Sequence, residues 1–212
     1  MFIPKFPCHP VSSGLATDFH LRRREIFLIT SAEMAAQSAL KPRWQKLRVF
    51  IGTAGWLGLI PVAPGSFGAL AGVIFHVVVC SFLPQSAQIA TLGLALIAVS
   101  VANHVLTPWA VEYWKVEDPK HFVLDEVAGY LVVPILFHHG HLWQIALWGF
   151  LAFRILDVIK LPPARQIDRR MHGAWGILLD DIVSGIYAAL FLYFLWWLSE
   201  RLGLGAWLIS NN

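Results

Sequence analysis

Five apolar segments constrain the fold of this chain more than any other feature. They cover about residues 67–83, 86–109, 122–137, 142–160 and 178–198. Each segment is continuously apolar rather than alternating, and a segment in lipid must satisfy its own backbone hydrogen bonds, so each is predicted to be a helix. A bilayer crossing needs about 20 residues, which the second and fifth segments clearly provide. The sequence therefore predicts an all-α, polytopic membrane bundle of about five transmembrane helices.

The composition agrees with a membrane protein. Hydrophobic residues make up 57% of the chain, charged residues 14%, and the mean hydropathy is +0.62. Globular proteins are about 45–50% apolar and about 25% charged. Cys8 and Cys80 are too few for a disulfide framework or a thiolate metal site. We expect membrane lipids, and no nucleic acid, among the partners of this chain, and the sequence leaves its oligomeric state open.

Three regions are predicted along the chain. Residues 1–45 form a basic N-terminal extension that we expect to be flexible, residues 46–204 form one membrane domain, and residues 205–212 form a C-terminal tail. The apolar run at residues 26–29 is too short for a secretory signal, which needs about 7–15 such residues. The N-terminus is therefore predicted to stay in the cytoplasm.

The basic residues of the loops predict the orientation. They lie before the first segment, between the second and third, and between the fourth and fifth: Lys41, Arg43, Lys46 and Arg48; Lys115 and Lys120; and Arg165, Arg169 and Arg170. The other two loops, near residues 84–85 and 138–141, contain no Lys or Arg. By the positive-inside rule the N-terminus is cytoplasmic and the C-terminus is outside. All the polar motifs described below then fall on the cytoplasmic face, which indicates a single site there.

Two acidic pairs open apolar segments. Asp125 and Glu126 begin the third, and Asp180 and Asp181 begin the fifth. Neighbouring residues lie about 100° apart on a helix, so Asp125 and Glu126 are not expected to point the same way. Asp125 shares a helix face with Gly129, where another helix or a ligand can approach closely. A single pair would be explained by the helix dipole. Two pairs on one face favour a site for Mg²⁺, which prefers carboxylate oxygens.

A cationic motif closes the fourth segment. Arg154, Asp157 and Lys160 follow at intervals of three, so they lie along one helix stripe and Asp157 can pair with either cation. Arginine grips a phosphate with two parallel hydrogen bonds, and lysine acts as a point charge. Snorkelling toward the lipid headgroups would explain Lys160, but not Arg154 and Asp157, which sit deeper.

A proline-rich loop precedes the first segment. Its sequence Ile60-Pro-Val-Ala-Pro-Gly-Ser-Phe-Gly68 stops any earlier helix, Gly65 permits a tight turn, and Ser66 is a suitable N-cap for the next helix. The free N–H groups of that helix start can hold an anion. The alternative is a well-capped membrane helix without a ligand.

Four separated blocks resemble the phosphatidylglycerophosphatase A family. They are Ala63-Pro-Gly-Ser-Phe-Gly68, Leu124-Asp-Glu-Val-Ala-Gly129, Phe153-Arg-Ile-Leu-Asp-Val-Ile-Lys160 and Gly176-Ile-Leu-Leu-Asp-Asp181. The resemblance runs from about Gly55 to Gly185. This chain departs from the family pattern at Ser66 (usually Thr), Leu161 (often Pro) and Ala174 (often Gly).

The resemblance implies a Mg²⁺-dependent membrane phosphatase that converts phosphatidylglycerophosphate to phosphatidylglycerol, in the inner membrane of a bacterium with its active site facing the cytoplasm. Asp125, Glu126, Asp180 and Asp181 would hold Mg²⁺ directly or through water. Arg154 and Lys160 would bind the phosphate beside Gly65 and Ser66, and Asp157 would orient Arg154. One carboxylate not committed to the metal would act as general base for direct attack by water. The alternatives are a cation-coupled transporter with a carboxylate ion site and a binding or scaffold protein without activity.

Overall fold

The structure is a computed structural model that describes residues 43–162, 164, 166, 173–203 and 209. Its contacts divide the chain into two units, residues 1–46 and 47–212. Apart from residues 43–45 and Ile209, the predicted extension and tail lie outside the described residues, so their boundaries stay predictions.

The second unit is a helical bundle. Five long helices follow a short 3₁₀ turn at Leu57–Leu59, and the residues described contain no strand; the helices are α1 (Pro64–Phe82), α2 (Gln85–Trp114), α3 (Leu124–Leu136), α4 (Leu142–Ile159) and α5 (Ala174–Leu202). This confirms the all-helical bundle. Each helix matches one of the five predicted segments, although α2 and α5 are longer at both ends than those segments.

Four of the helices are long and apolar enough to cross a membrane. They are α1, α2, α4 and α5, with 19, 30, 18 and 29 residues. The third helix, α3, has 13 residues and is therefore about 20 Å long, against about 30 Å for the hydrocarbon core. The predicted third segment began too early: the N–H of Val123 donates to the carbonyl of Gly52 at 3.0 Å, so residues before Leu124 belong to a loop.

Although short, α3 runs through the centre of the bundle. Almost every residue from Leu124 to Pro134 is buried. The helix runs parallel to α5, since Gly129 lies against Asp181 and Tyr193 Oη donates to the carbonyl of Leu136 at 2.9 Å. It begins beside the end of α2 and finishes beside the start of α4, so the five helices described here cross the bundle from end to end in alternating directions.

Two glycines set the contact between α3 and α5. A Cβ atom on Gly185 would overlap the carbonyl oxygen of Gly129, and a Cβ atom on Gly129 would lie 2.8 Å from the carbonyl oxygen of Asp181 and 2.7 Å from the ring of Phe153. The prediction that Gly129 permits close helix approach is confirmed. This contact holds the first turns of α3 and α5 side by side, which brings together their acidic residues.

The start of α1 differs from the expectation. The N-cap is Ala63, in the left-handed region with φ 49°, and Pro64 occupies the first turn. The prediction that Ser66 is the N-cap was wrong, because Pro64, whose φ already fits the helix, begins it three residues earlier. Gly65 and Ser66 thus lie inside the first turn of α1, and the tight turn falls at Ala63.

Candidate active site

A cavity of about 330 Å³ lies at one end of the bundle, where α1, α3 and α5 begin and α4 ends. Side chains from all four helices and from the loop before α3 reach it. The charged residues that line it are Asp118, Lys120, Asp125, Glu126, Arg154, Asp157, Lys160, Asp180 and Asp181. Eight of the nine site residues predicted from the sequence line this cavity, and the ninth, Ser66, does not.

Three carboxylates form the deepest part of the site. One oxygen atom from each of Asp125, Glu126 and Asp181 lies within 4.8 Å of the other two. The expectation that Asp125 and Glu126 diverge was wrong, because side chains of different length reach one point from neighbouring helix positions. We call these three residues the acidic triad.

The acidic triad has unsatisfied oxygen atoms. Among the described residues, Asp125 Oδ1 and Glu126 Oε2 are buried without a hydrogen-bond partner. Asp125 and Asp181 are only 7% and 4% exposed, so bulk water hydrates these carboxylates poorly. Three converging carboxylates cost much free energy unless a cation or protons neutralise them. Their chemistry fits Mg²⁺, which takes carboxylate oxygens and keeps further positions for phosphate oxygens and water.

The second acid of α5 contacts a different partner. Asp180 Oδ2 lies 2.6 Å from Lys160 Nζ, and Lys160 is the left-handed C-cap of α4 with φ 48°. Asp180 lines the same cavity but lies outside the acidic triad. The adjacent residues Asp180 and Asp181 thus connect α5 to two different groups of the site.

Arg154 lies between an acid of its own helix and the start of α1. Its Nη1 donates to Asp157 Oδ2 at 2.8 Å, which is one of the two pairings that the three-residue spacing allows. A Cβ atom on Gly65 would lie 3.1 Å from Arg154 Nη2 and would overlap Glu126 Oε1. Only glycine therefore fits at this position while Glu126 and Arg154 keep their places.

Ser66 lies one residue further along α1. Its N–H donates to the carbonyl of Ala63 at 2.9 Å, and it is not among the residues that line the cavity. Its predicted contact with phosphate stays a prediction.

The sequence analysis did not assign Asp118 and Lys120 to the site. Both line the cavity from the loop between α2 and α3. From the sequence, Lys120 contributes only to the predicted membrane orientation, and Asp118 has no predicted role. The available signal was the charged pair on either side of Pro119, a few residues before Asp125.

Taken together, the cavity places an acidic triad suited to a divalent cation beside an arginine and a lysine suited to an anion. It lies at the end of a bundle whose long helices are apolar enough to cross a membrane. This arrangement can bind a negatively charged group near a membrane surface.

Comparison with known proteins identifies the family. The family model for phosphatidylglycerophosphatase A matches residues 50–196. The chain is 35% identical to phosphatidylglycerophosphatase A of Escherichia coli K12, over 76% of this chain and 88% of that protein. It is 32% identical to phosphatidylglycerophosphatase A of Haemophilus influenzae, over 64% of this chain and 80% of that protein.

A third relative has a different name. It is a putative phosphatidylinositol-3-phosphatase of Bacteroides thetaiotaomicron, 28% identical over 67% of this chain and 89% of that protein. No solved structure matches the chain significantly. Because the family match spans well over half of the sequence, the chain belongs to the phosphatidylglycerophosphatase A family and is a phosphatase.

Proposed function

We propose that this enzyme removes the terminal phosphate of phosphatidylglycerophosphate in a Mg²⁺-dependent reaction and releases phosphatidylglycerol. The observation that carries the proposal is the acidic triad, with two unsatisfied oxygens, beside Arg154 in one cavity. Two relatives named phosphatidylglycerophosphatase A support the choice of lipid.

Charge explains why a cation is needed. A phosphomonoester carries about two negative charges near neutral pH, so the acidic triad alone would repel it. Asp125, Glu126 and Asp181 would hold Mg²⁺, and Asp180 would contribute through water while it contacts Lys160. When bound, Mg²⁺ supplies positive charge that offsets the charge developing on the phosphoryl oxygens.

The cations of α4 would bind the phosphate. Arg154 presents two parallel donors to its oxygens, and the ion pair with Asp157 fixes the direction of the guanidinium group. Lys160 adds a second positive charge from the end of the same helix. Gly65 provides the space in which the phosphate approaches Glu126 and Arg154.

The reaction then needs a base for water. A carboxylate of the cavity that does not bind the cation accepts a proton from the attacking water, whose oxygen forms the new bond to phosphorus. The bond from phosphorus to the glycerol oxygen breaks, and this oxygen takes up a proton to become a hydroxyl of phosphatidylglycerol. Inorganic phosphate is the second product.

We propose that the enzyme lies in the inner membrane of a bacterium and that its active-site cavity faces the cytoplasm. The loop with Lys115 and Lys120 lies at the cavity end of the bundle, and the loop at 138–141 lies at the other end and has no Lys or Arg. The positive-inside rule then assigns the cavity end to the cytoplasm.

Family membership does not favour the transporter alternative. The Bacteroides relative instead suggests phosphatidylinositol 3-phosphate as a second candidate lipid. Both lipids present a phosphomonoester at the membrane surface, so the acidic triad and Arg154 serve either one, and selectivity must come from contacts with the rest of the headgroup.

The experiment is a phosphate-release assay with the purified full-length enzyme in mixed micelles. Phosphatidylglycerophosphate, phosphatidylinositol 3-phosphate and phosphatidate are compared with Mg²⁺, with a chelator, and with Mg²⁺ restored. We expect the highest kcat/KM for phosphatidylglycerophosphate, loss of activity with the chelator, and recovery with Mg²⁺. Preference for the inositol lipid would overturn the proposed substrate, and full activity with the chelator would overturn the proposed metal.

A further inference from the structure

A second cavity lies between α1 and α4, outside the candidate active site. It is an apolar groove of about 640 Å³ to which α1 contributes Leu70, Val73 and Val77. The α4 side includes Leu147, which is 46% exposed, and Phe150. The groove therefore opens toward the outside of the bundle, where lipid surrounds a membrane protein.

The groove and the active site lie along the same pair of helices, although none of the described residues lines both cavities. On α1, Leu70, Val73 and Val77 recur at helical spacing, and one turn earlier the same stripe reaches Ser66 beside Gly65. The two helices meet at the active-site end, where a Cβ atom on Gly65 would lie 3.1 Å from Arg154 Nη2.

The α4 side shows the same continuity. Trp143, Leu147 and Phe150 lie on one stripe of the helix, and the next residue of that stripe is Arg154, which lines the active-site cavity. Along α4 the stripe thus changes within one helical turn from an apolar residue of the groove, Phe150, to a cationic residue of the active site, Arg154.

We propose that this groove holds one acyl chain of the lipid whose phosphate occupies the active site. The inference rests on the proposed function, since it takes the substrate to be a lipid phosphomonoester. A phosphate placed beside Arg154 leaves the acyl chains to run back along the bundle toward the bilayer, and the groove begins on the same two helix faces. A chain gains little free energy by leaving lipid for an apolar groove. The groove instead fixes the position of the glycerol backbone, and so of the phosphate.

The helix geometry gives the groove a length scale. Val73 lies seven residues beyond Ser66, about 10 Å along α1, and Val77 lies eleven residues beyond it, about 16 Å. A bulky residue at Val77 should therefore obstruct only the distal part of a long chain. The same residue at Val73 should obstruct shorter chains as well.

A matched pair of variants tests the proposal. Val77→Phe narrows the groove, whereas Val78→Phe makes the same change at the next residue, which is 46% exposed and does not line the groove. Phosphate release is measured with long-chain lipid, with lipid whose chains end before Val77, and with the deacylated headgroup. We expect Val77→Phe to lower kcat/KM for the long-chain lipid roughly tenfold, because a displaced chain misplaces the phosphate. For the other two substrates, Val77→Phe should keep the kcat/KM of the wild type. Val78→Phe should keep the wild-type kcat/KM for all three substrates.

Val73→Phe extends the test, because it should also lower kcat/KM for the shorter chains. Equal losses on all three substrates, or equal effects of Val77→Phe and Val78→Phe, would overturn the proposal and leave bulk lipid as the occupant. Failure of the proposed function has a different result: the wild type would release no phosphate from phosphatidylglycerophosphate of any chain length. The chain-length series is then run on the lipid phosphate that the wild type does hydrolyse, with the same expected and contradicting results.

Discussion

At the residue scale, the two acids at the start of α5 show how neighbours in sequence acquire different surroundings. Asp181 joins the acidic triad with Asp125 and Glu126, whereas Asp180 contacts Lys160. Loss of the Asp181 charge should therefore affect the proposed metal site directly, and loss of the Asp180 charge should first release Lys160.

The first prediction concerns Asp181→Asn. It should lower turnover by about a hundredfold or more while the protein stays in the membrane, because a hard cation with few ligands binds a neutral amide poorly. Phosphate release is measured over a Mg²⁺ titration. Glu112→Gln is the matched control, since Glu112 is exposed on α2 and does not line the cavity. Near-normal activity of Asp181→Asn at low Mg²⁺ would contradict the assignment.

A second prediction separates the two roles open to Arg154. If Arg154 binds phosphate, Arg154→Lys should lower kcat/KM by about a hundredfold, because lysine keeps the charge but loses the paired donors. If Arg154 only balances Asp157, Lys should be tolerated and the double change Arg154→Leu with Asp157→Leu should be active, since it removes both charges together. Kinetics of the two variants in the same membranes decide between these roles, and an active double variant would remove Arg154 from the site.

At the element scale, the contact between α3 and α5 determines where the acids lie. Gly129 and Gly185 let the backbones approach so closely that a Cβ atom on Gly185 would overlap the carbonyl oxygen of Gly129. A backbone atom cannot rotate away as a side chain can, so the helices would have to separate. Asp181 lies one turn before Gly185 and would move with α5.

The third prediction follows for Gly185→Ala. It should destabilise the protein by about 1–3 kcal/mol, the usual cost of overpacking, and lower activity because Asp181 is displaced from Asp125. Gly93→Ala on α2 is the control, since a Cβ atom there meets nothing within 4 Å and alanine favours a helix. Thermal unfolding in detergent and phosphate release measure the two effects. A Gly185→Ala protein with unchanged stability and activity would contradict the close contact.

At the scale of the whole molecule, five passes of the chain put the active-site cavity and the loop at residues 138–141 at opposite ends of the bundle. The short α3 makes one of these passes, so the number of long helices alone would give the wrong relation between the ends. The passes can be checked independently of activity.

The fourth prediction tests this topology with single cysteines, in a protein in which Cys8 and Cys80 are replaced. A cysteine at exposed Glu117, before α3, should react with an impermeant reagent only from the cytoplasm. A cysteine at exposed His138 should react only from the outside; the neighbouring Gly140 is less suitable because its φ of 99° disfavours other residues. Labelling of both positions from one side would show that the chain does not pass between them through the membrane.

Much of this protein follows from local sequence. Continuous apolar runs determined that the chain is helical and placed five helices near their observed positions, because a helix in lipid satisfies its hydrogen bonds within its own segment. The three-residue spacing likewise allowed the ion pair between Arg154 and Asp157, since both residues lie on one helix face.

Only the tertiary structure decided which acids converge and where the helices meet. Asp181 reaches Asp125 and Glu126 because α5 packs on α3 at two glycines far apart in sequence, and Lys160 reaches Asp180 because α4 ends beside the start of α5. The start of α3 also involves a distant contact, the hydrogen bond from the N–H of Val123 to the carbonyl of Gly52. These contacts depend on how helices pack against one another, and the pattern of residues along a single segment does not contain that information.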